Sequence, residues 1–131
     1  MQLKQIVLGK EYFGDVTRLH QIAHRFSNEV LRFFTGLSGP FGSQILFSGK
    51  QGRFKELFLM DMDGSNIRQL TEDRGLAISP DWNPSGTLLV YTGYRNRAPD
   101  LYLLEPFTRK FKQITRGANL EVGAKFSNDW F

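Results

Sequence analysis

Two periodicities of apolar residues divide the chain. Within the first nine residues the apolar side chains suit a short strand. From Asp15 to Thr35 apolar positions recur at spacings of three and four, which predicts an amphipathic helix. Asp15 or Thr17 can cap the first amides of this helix, and Gly36 suits the left-handed residue that follows a helix. The sequence therefore begins with a predicted strand, helix and linker.

After the linker, short apolar runs alternate with turn residues, and the chain repeats itself at an offset of 44 residues. Leu57–Met60 corresponds to Leu101–Leu104, and Leu70 corresponds to Ile114. A period of this length with several short apolar runs is typical of a four-stranded β-propeller blade. The predicted fold is mainly β with one N-terminal α-helix, and residues 39–131 form two four-stranded blade repeats of an incomplete propeller.

Candidate metal ligands occur at two places, and both fit a simpler interpretation. The segment 61–66 holds two carboxylates, but Gly64 is its fourth residue and β runs flank it, unlike a calcium-binding EF-hand loop. This pattern predicts a hairpin turn. His20 and His24 are one helical turn apart, yet no third ligand is evident, so we expect them at the flank of the helix. The sequence predicts no metal site, no cofactor and no catalytic residue.

Composition narrows the function classes further. Hydrophobic residues make up 40% and aromatic residues 14% of the chain, as in a folded protein with much β structure. The net charge is +4, but the basic residues are spread along the chain, so we expect no nucleic-acid partner. Arg95 and Arg97 are interpreted as solvated charges. Cysteine is absent, and no apolar run reaches the roughly 20 residues of a membrane span.

Three segments of the sequence resemble a known pattern. Residues 79–92, SPDWNPSGTLLVYT, and residues 57–71, LFLMDMDGSNIRQLT, resemble the two halves of the propeller repeat of the TolB family. Residues 19–30, LHQIAHRFSNEV, followed by Thr35-Gly36 and Gly39, resemble the helix and linker between its N-terminal α/β domain and first blade. This resemblance implies that residues 1–38 are the C-terminal part of an α/β domain.

The resemblance also implies a function. TolB-like proteins are periplasmic scaffolds of the Tol–Pal system, and their partners would be the Pal lipoprotein and TolA. The chain is accordingly expected to be a non-catalytic, protein-binding, periplasmic segment that supports outer-membrane integrity and envelope constriction, without membrane insertion; no signal peptide is evident at its N-terminus. An alternative is the propeller cap of a serine peptidase whose catalytic domain is absent from this chain, because such caps carry similar repeats.

The predicted partner-binding residues lie between the two repeats. Residues 75–82 are expected to form a loop between the outer strand of one blade and the inner strand of the next, and such loops line the mouth of a propeller channel. Two roles stay open for this segment, partner docking and inter-blade packing, whereas Trp82 is expected to pack. Because two blades leave sheet faces and edges uncovered, we also expect self-association. The predicted binding residues are Ala77, Ile78, Ser79, Pro80 and Asp81.

Overall fold

The computed structural model describes residues 8–117 and 120–128 of the chain. These residues form two compact units that divide between Ser43 and Gln44. The strand expected within the first nine residues falls largely outside the described part. The assignment of the first unit to an α/β domain stays a prediction.

The first unit contains the predicted helix. A short 3-10 helix, Val16–Arg18, leads into α1, Leu19–Thr35. The carboxylate of Asp15 accepts a hydrogen bond of 2.9 Å from the amide of Thr17, which caps the first turn. Gly36 has a φ of 75° and donates its amide to the carbonyl of Arg32, so it ends the helix as expected.

The linker after α1 folds back on the helix. The side-chain amide of Asn28 accepts a hydrogen bond of 3.1 Å from the amide of Phe41 and donates another to the carbonyl of the same residue. Gly39 approaches α1 so closely that a Cβ atom there would lie 2.6 Å from the Oδ1 atom of Asn28. A larger residue at position 39 would therefore push the side-chain ends of Asn28 and Leu31 aside.

The second unit consists of two antiparallel sheets. Within the described residues, the first sheet has the order β1-β2-β3 and the second has the order β4-β5-β6-β7. The strands are β1, Gln44–Gln51; β2, Phe54–Asp61; β3, Arg68–Gln69; β4, Ala77–Trp82; β5, Leu89–Gly93; β6, Asp100–Leu104; and β7, Phe111–Gln113.

The register of the sheets follows the 44-residue offset. Phe47 pairs with Phe58 in the first sheet, and their ring centroids are 5.6 Å apart. At the equivalent positions of the second sheet, Tyr91 pairs with Tyr102 at 5.5 Å. A glycine lies beside the stacked rings in each sheet. In the second sheet a Cβ atom at Gly93 would come within 2.9 Å of Tyr102, so no larger residue fits there without moving the ring. The repeat in the sequence is thus a repeat of cross-strand packing.

A single apolar cluster extends through both sheets. Burial of each of its leucines stabilises the fold by about 1.5–3 kcal/mol. Trp82 is partly buried against this cluster, which confirms its predicted packing role. The buried members are Leu57, Leu59, Leu70, Ala77, Leu89, Tyr91, Tyr102 and Leu104.

The two repeats differ at their first strand. The second repeat forms four strands, as predicted, whereas the described residues of the first repeat form three. The positions equivalent to β4 are residues 33–38, and these are used by the last turn of α1 and the linker. The prediction of four strands in the first repeat is therefore not met, because the helix occupies the residues that would supply the fourth.

Candidate partner-binding site

The predicted binding segment lies in β4. Residues 77–82 were expected to belong to a connecting loop, but they pair with β5. The connection between the sheets is shorter and precedes them, at residues 70–76. The register of β4 shifts between Ile78 and Asp81, and Ser79 has a φ of 51°. The Ser79-Pro80 pair therefore marks a β-bulge, a feature that redirects side chains within a strand.

The five predicted residues are not equally accessible. Ala77 is completely buried in the core, so its side chain is not available to a partner. Ile78, Pro80 and Asp81 are half-buried, and Ser79 is exposed. Residues 78–81 are thus at least partly accessible at the bulge, whereas Ala77 is not.

Asp81 holds a later segment of the chain in place. Its carboxylate accepts a hydrogen bond of 2.9 Å from the amide of Phe126 and one of 3.0 Å from the Nζ atom of Lys125. The hydrogen bond from the Phe126 amide, aided by Lys125, lowers the pKa of Asp81 despite an opposing effect of burial. Asp81 therefore has an intramolecular role whether or not a partner also contacts it.

This contact should be lost in acid. Because the folded state lowers the pKa of Asp81, the contact contributes stability above the ordinary value of 3.8 and loses it as the pH falls through the lowered value. In an NMR titration from neutral to strongly acidic pH, the amide resonance of Phe126 should shift with this carboxylate. Asp81→Asn should abolish that shift. The amide of Gly86, which donates to the carbonyl of Asn83, serves as the control; a parallel shift there would contradict the assignment.

A buried charge cluster lies next to β4. Asp73, in the connection, forms an ion pair of 2.5 Å with Arg95, and the side chain of Asp73 has no exposed surface. The hydroxyl of Tyr91 donates a hydrogen bond of 3.1 Å to the same carboxylate. The interpretation of Arg95 as a solvated charge is therefore wrong, because its side chain is only 25% exposed and is paired. Arg97 is exposed, as expected.

Aromatic rings surround the Arg95 guanidinium. Its central carbon lies 3.7 Å from the ring centroid of Phe111 and 5.7 Å from that of Tyr102. Burial raises the pKa of Asp73, although Arg95 and Tyr91 oppose this effect. Burial lowers the pKa of Arg95, but the hydrogen bonds and charges of Asp73 and Tyr91 outweigh it and raise the pKa. The pair thus fastens the connection to the second sheet.

The comparison of the two repeats contained a signal for this cluster. Gln51 is equivalent to Arg95, and Gly117 is equivalent to Asp73. Asp73 thus belongs to the first repeat and Arg95 to the second, and neither charge is present at the matching position of the other repeat. Such a paired difference between repeats indicates an interaction that is special to one junction.

A second buried carboxylate shapes the same connection. Glu56 is 2% exposed and accepts a hydrogen bond of 2.6 Å from the hydroxyl of Thr71. It also accepts hydrogen bonds of 3.0 Å from the amide of Asp73 and 2.9 Å from the amide of Arg74. This side chain thus accepts hydrogen bonds from three donors of the connecting turn.

Comparison with known proteins gives these features a context. No family model matches the chain. "Tol-Pal system protein TolB" of Geobacter metallireducens is 41% identical over 80 residues, 61% of this chain and 19% of that protein. "Protein TolB homolog" of Chlorobium chlorochromatii is 39% identical over 82 residues, 63% of this chain and 19% of that protein. The chain matches a segment of the TolB family.

Structural comparison agrees on the fold of this TolB-like segment. The crystal structure of TolB from Acinetobacter baumannii superposes with a TM-score of 0.76 over 85% of this chain and 29% of that chain, at 24% identity. The fold is thus mainly β with one helix and belongs to a partial propeller, whereas the number of blades stays a prediction. The chain spans 19% of the length of the two curated TolB relatives named above.

Two other segments of the TolB-like chain have local roles. Asp61–Asn66 forms the predicted turn, in which the amide of Gly64 donates to the carbonyl of Asp61 at 2.9 Å. The rings of His20 and His24 lie edge to face, with centroids 6.2 Å apart.

Within the described residues, no group of three or more acidic or histidine side chains could hold a metal ion. No helix in the described part is long and apolar enough to cross a bilayer.

Proposed function

We propose that this chain is a non-catalytic, protein-binding part of a TolB-like scaffold that acts in the periplasm within the Tol–Pal system. Its role there would be to support outer-membrane integrity and envelope constriction. The observation that carries the proposal is the 41% identity with a Tol-Pal system protein over 80 residues. The propeller-type sheets add support, since rigid sheets of this kind present binding residues on fixed strands.

The proposed partners are the Pal lipoprotein and TolA, and the proposed contact surface is the β4 bulge, residues 78–81. Ser79 supports this choice because it is exposed and keeps a left-handed φ of 51°, which is uncommon for a residue with a side chain. Backbone strain of this kind is often retained where a surface has a binding role. Ile78 and Pro80 supply apolar area beside it.

A non-catalytic role agrees with the use of the carboxylates near β4. Asp73 binds Arg95, Glu56 binds the turn of the connection, and Asp81 binds residues 125 and 126. Each carboxylate is engaged in a contact that stabilises the fold. We therefore assign these three residues to the support of the surface and not to chemistry.

Binding should depend on Ile78. The purified chain is titrated by calorimetry with the periplasmic part of Pal and, separately, of TolA. Ile78→Ala should weaken binding to at least one of them by about tenfold, equivalent to about 1.4 kcal/mol, because it removes half-buried apolar area from the bulge. Ile67→Ala, at a residue that is 60% exposed and distant from the bulge in sequence, is the matched control and should bind like the original chain.

The result separates the surface from the function. Binding that is unchanged by Ile78→Ala would remove the bulge from the interface and leave the scaffold role intact. If neither Pal nor TolA bound to the folded chain, the proposed partnership would be rejected.

A further inference from the structure

The turns of the second unit lie at two ends, because each strand runs antiparallel to its neighbour in the sheet. The β1–β2 turn, the connection between the sheets and the β5–β6 turn share one end. Main-chain hydrogen bonds join them there: the amide of Lys55 donates to the carbonyl of Gly75 at 3.0 Å, and the amide of Tyr94 donates to the carbonyl of Leu76 at 2.9 Å. We call this the basic end, and it consists of residues 50–56, 70–76 and 94–100.

The exposed charges of the basic end are almost all positive. It contains four carboxylates, but Glu56 and Asp100 are only 2% and 4% exposed, and the side chain of Asp73 has no exposed surface. Glu72 is the fourth and is exposed. None of the ion pairs within residues 8–117 and 120–128 involves the exposed cations, so the fold does not neutralise their charge. These cations are Lys50, Arg53, Lys55, Arg74 and Arg97.

The turns at the opposite end carry a different balance of charge. They hold three carboxylates, those of Asp61, Asp63 and Glu105, beside the exposed cations Arg109 and Lys110. The positive charge of the second unit is therefore concentrated at the basic end. A field of this kind attracts an acidic partner and raises its rate of association.

An apolar side chain lies among the exposed cations. Leu76 is 39% exposed, and it contacts both sheets through a β-bridge to Lys55 and the hydrogen bond from Tyr94. Arg74 precedes it by two residues and is exposed. An apolar centre with a charged rim is the usual anatomy of a protein–protein interface.

The same end lacks the features that other anionic partners require. Surfaces that bind single-stranded nucleic acid expose aromatic rings for stacking, and surfaces that lie on a membrane expose aromatic or large apolar side chains. Phe54 and Tyr94 are the aromatic residues of the basic end, and both are half-buried. The guanidinium of Arg53 covers Phe54, with its central carbon 4.9 Å from the ring centroid. A protein partner therefore fits this surface best.

We propose that the basic end binds an acidic surface of a protein partner, with Leu76 at the centre of the contact. Carboxylates of the partner pair with Lys55 and Arg74, and an apolar side chain of the partner packs on Leu76. The internal hydrogen bonds and ion pair of Glu56 and Asp73 keep these two carboxylates away from the surface cations. This surface is distinct from residues 78–81, and the inference does not depend on Pal or TolA.

Fluorescence anisotropy with two labelled peptides tests the charge requirement. The peptides have the same length and the same number of glutamates, and one has leucine and the other serine at its centre. Lys55→Glu/Arg74→Glu should weaken binding of the leucine peptide by about tenfold or more at low salt. Binding to the original chain should also fall steeply when the ionic strength rises from about 0.05 M to about 0.5 M.

Arg109→Glu/Lys110→Glu is the matched control at the opposite end. It changes the net charge by the same amount, and Arg109, with a φ of 59°, matches Arg74, with a φ of 51°. This control should weaken binding by less than about threefold, the part due to net charge alone. Equal weakening by the two double variants would overturn the proposal, because net charge and not position would then decide binding.

The central leucine tests whether the partner is a protein. The original chain should prefer the leucine peptide to the serine peptide, and Leu76→Ala should remove this preference. In NMR spectra of the original chain, the leucine peptide should shift the amides of Gly75, Leu76 and Tyr94. This measurement decides the case if a variant fails to fold, and unshifted amides would overturn the proposal.

Two other anions serve as competitors at the same ionic strength. These are a single-stranded DNA oligonucleotide and vesicles that contain phosphatidylglycerol. Tighter binding of either than of the leucine peptide would overturn the assignment to a protein partner. The test is separate from that of the bulge, because Ile78→Ala should leave binding of the leucine peptide unchanged.

Discussion

Replacing Arg95 with alanine should lower the free energy of unfolding by about 3 kcal/mol or more at neutral pH. The change leaves the carboxylate of Asp73, whose side chain has no exposed surface, without its charged partner. It also removes the guanidinium from the ring of Phe111, 3.7 Å away. Urea denaturation followed by tryptophan fluorescence measures the loss. Arg116→Ala, at an exposed arginine, should change stability by less than about 0.5 kcal/mol.

The effect of Arg95→Ala should depend on pH in a defined direction. Burial raises the pKa of Asp73, and the Arg95 guanidinium opposes this rise. Without Arg95 the pKa of Asp73 rises further, so the folded variant holds its proton to a higher pH than the original chain. Because the folded variant then binds more protons than the unfolded chain, its stability falls as the pH rises through this range. The destabilisation by Arg95→Ala should therefore be smaller in acid and larger at neutral pH.

A double-mutant cycle with Asp73→Ala isolates the ion pair from its surroundings. If the pair is what stabilises the junction, the double variant should be more stable than the sum of the two single losses implies. Strict additivity, or a loss in Arg95→Ala that is the same at acid and neutral pH, would show that Arg95 acts only through its packing on Phe111.

The repeated part of the fold could be predicted from sequence because the repeat preserves packing. Phe47 and Phe58 are replaced by Tyr91 and Tyr102, and in each case the two rings stack across a strand pair. Thr71 and Thr115 likewise accept hydrogen bonds of 2.9 Å from equivalent amides. The amphipathic helix was predictable for a similar reason, since its period and caps are local properties of the sequence.

Features that depend on differences between the repeats could not be found by matching them. A self-comparison selects residues that agree, whereas Asp73 and Arg95 lie where the repeats disagree. The position of β4 was missed for another reason. Ser79-Pro80 is typical of a turn, and only pairing with β5 on both sides of the bulge makes this segment a strand. The assignment of residues 78–81 to a partner-binding surface stays a prediction.

The connection between the sheets also depends on a residue that the repeat alone does not explain. Glu56 is equivalent to Asp100, and both are buried. Glu56 accepts hydrogen bonds from Thr71, Asp73 and Arg74, whereas the carboxylate of Asp100 accepts one of 2.9 Å from Gln113. The longer side chain thus reaches the turn that places Asp73 beside Arg95. Two carboxylates thus hold the same short connection: that of Glu56 accepts hydrogen bonds from its turn, and that of Asp73 is paired with Arg95.

Glu56→Ala should therefore destabilise the chain by about 3–5 kcal/mol, because it leaves three donors of the turn without their acceptor. Asp100→Ala should cost less, and Glu72→Ala, at an exposed residue of the same connection, should be nearly neutral. Urea denaturation gives the order of the three losses. Hydrogen exchange gives the location, since the amides of Asp73 and Arg74 should lose protection in Glu56→Ala before the amides of β5 do. If Glu56→Ala and Asp100→Ala lowered the free energy of unfolding equally, and the amides of Asp73 and Arg74 kept their protection, the hydrogen bonds to the turn would not be the source of the stabilisation.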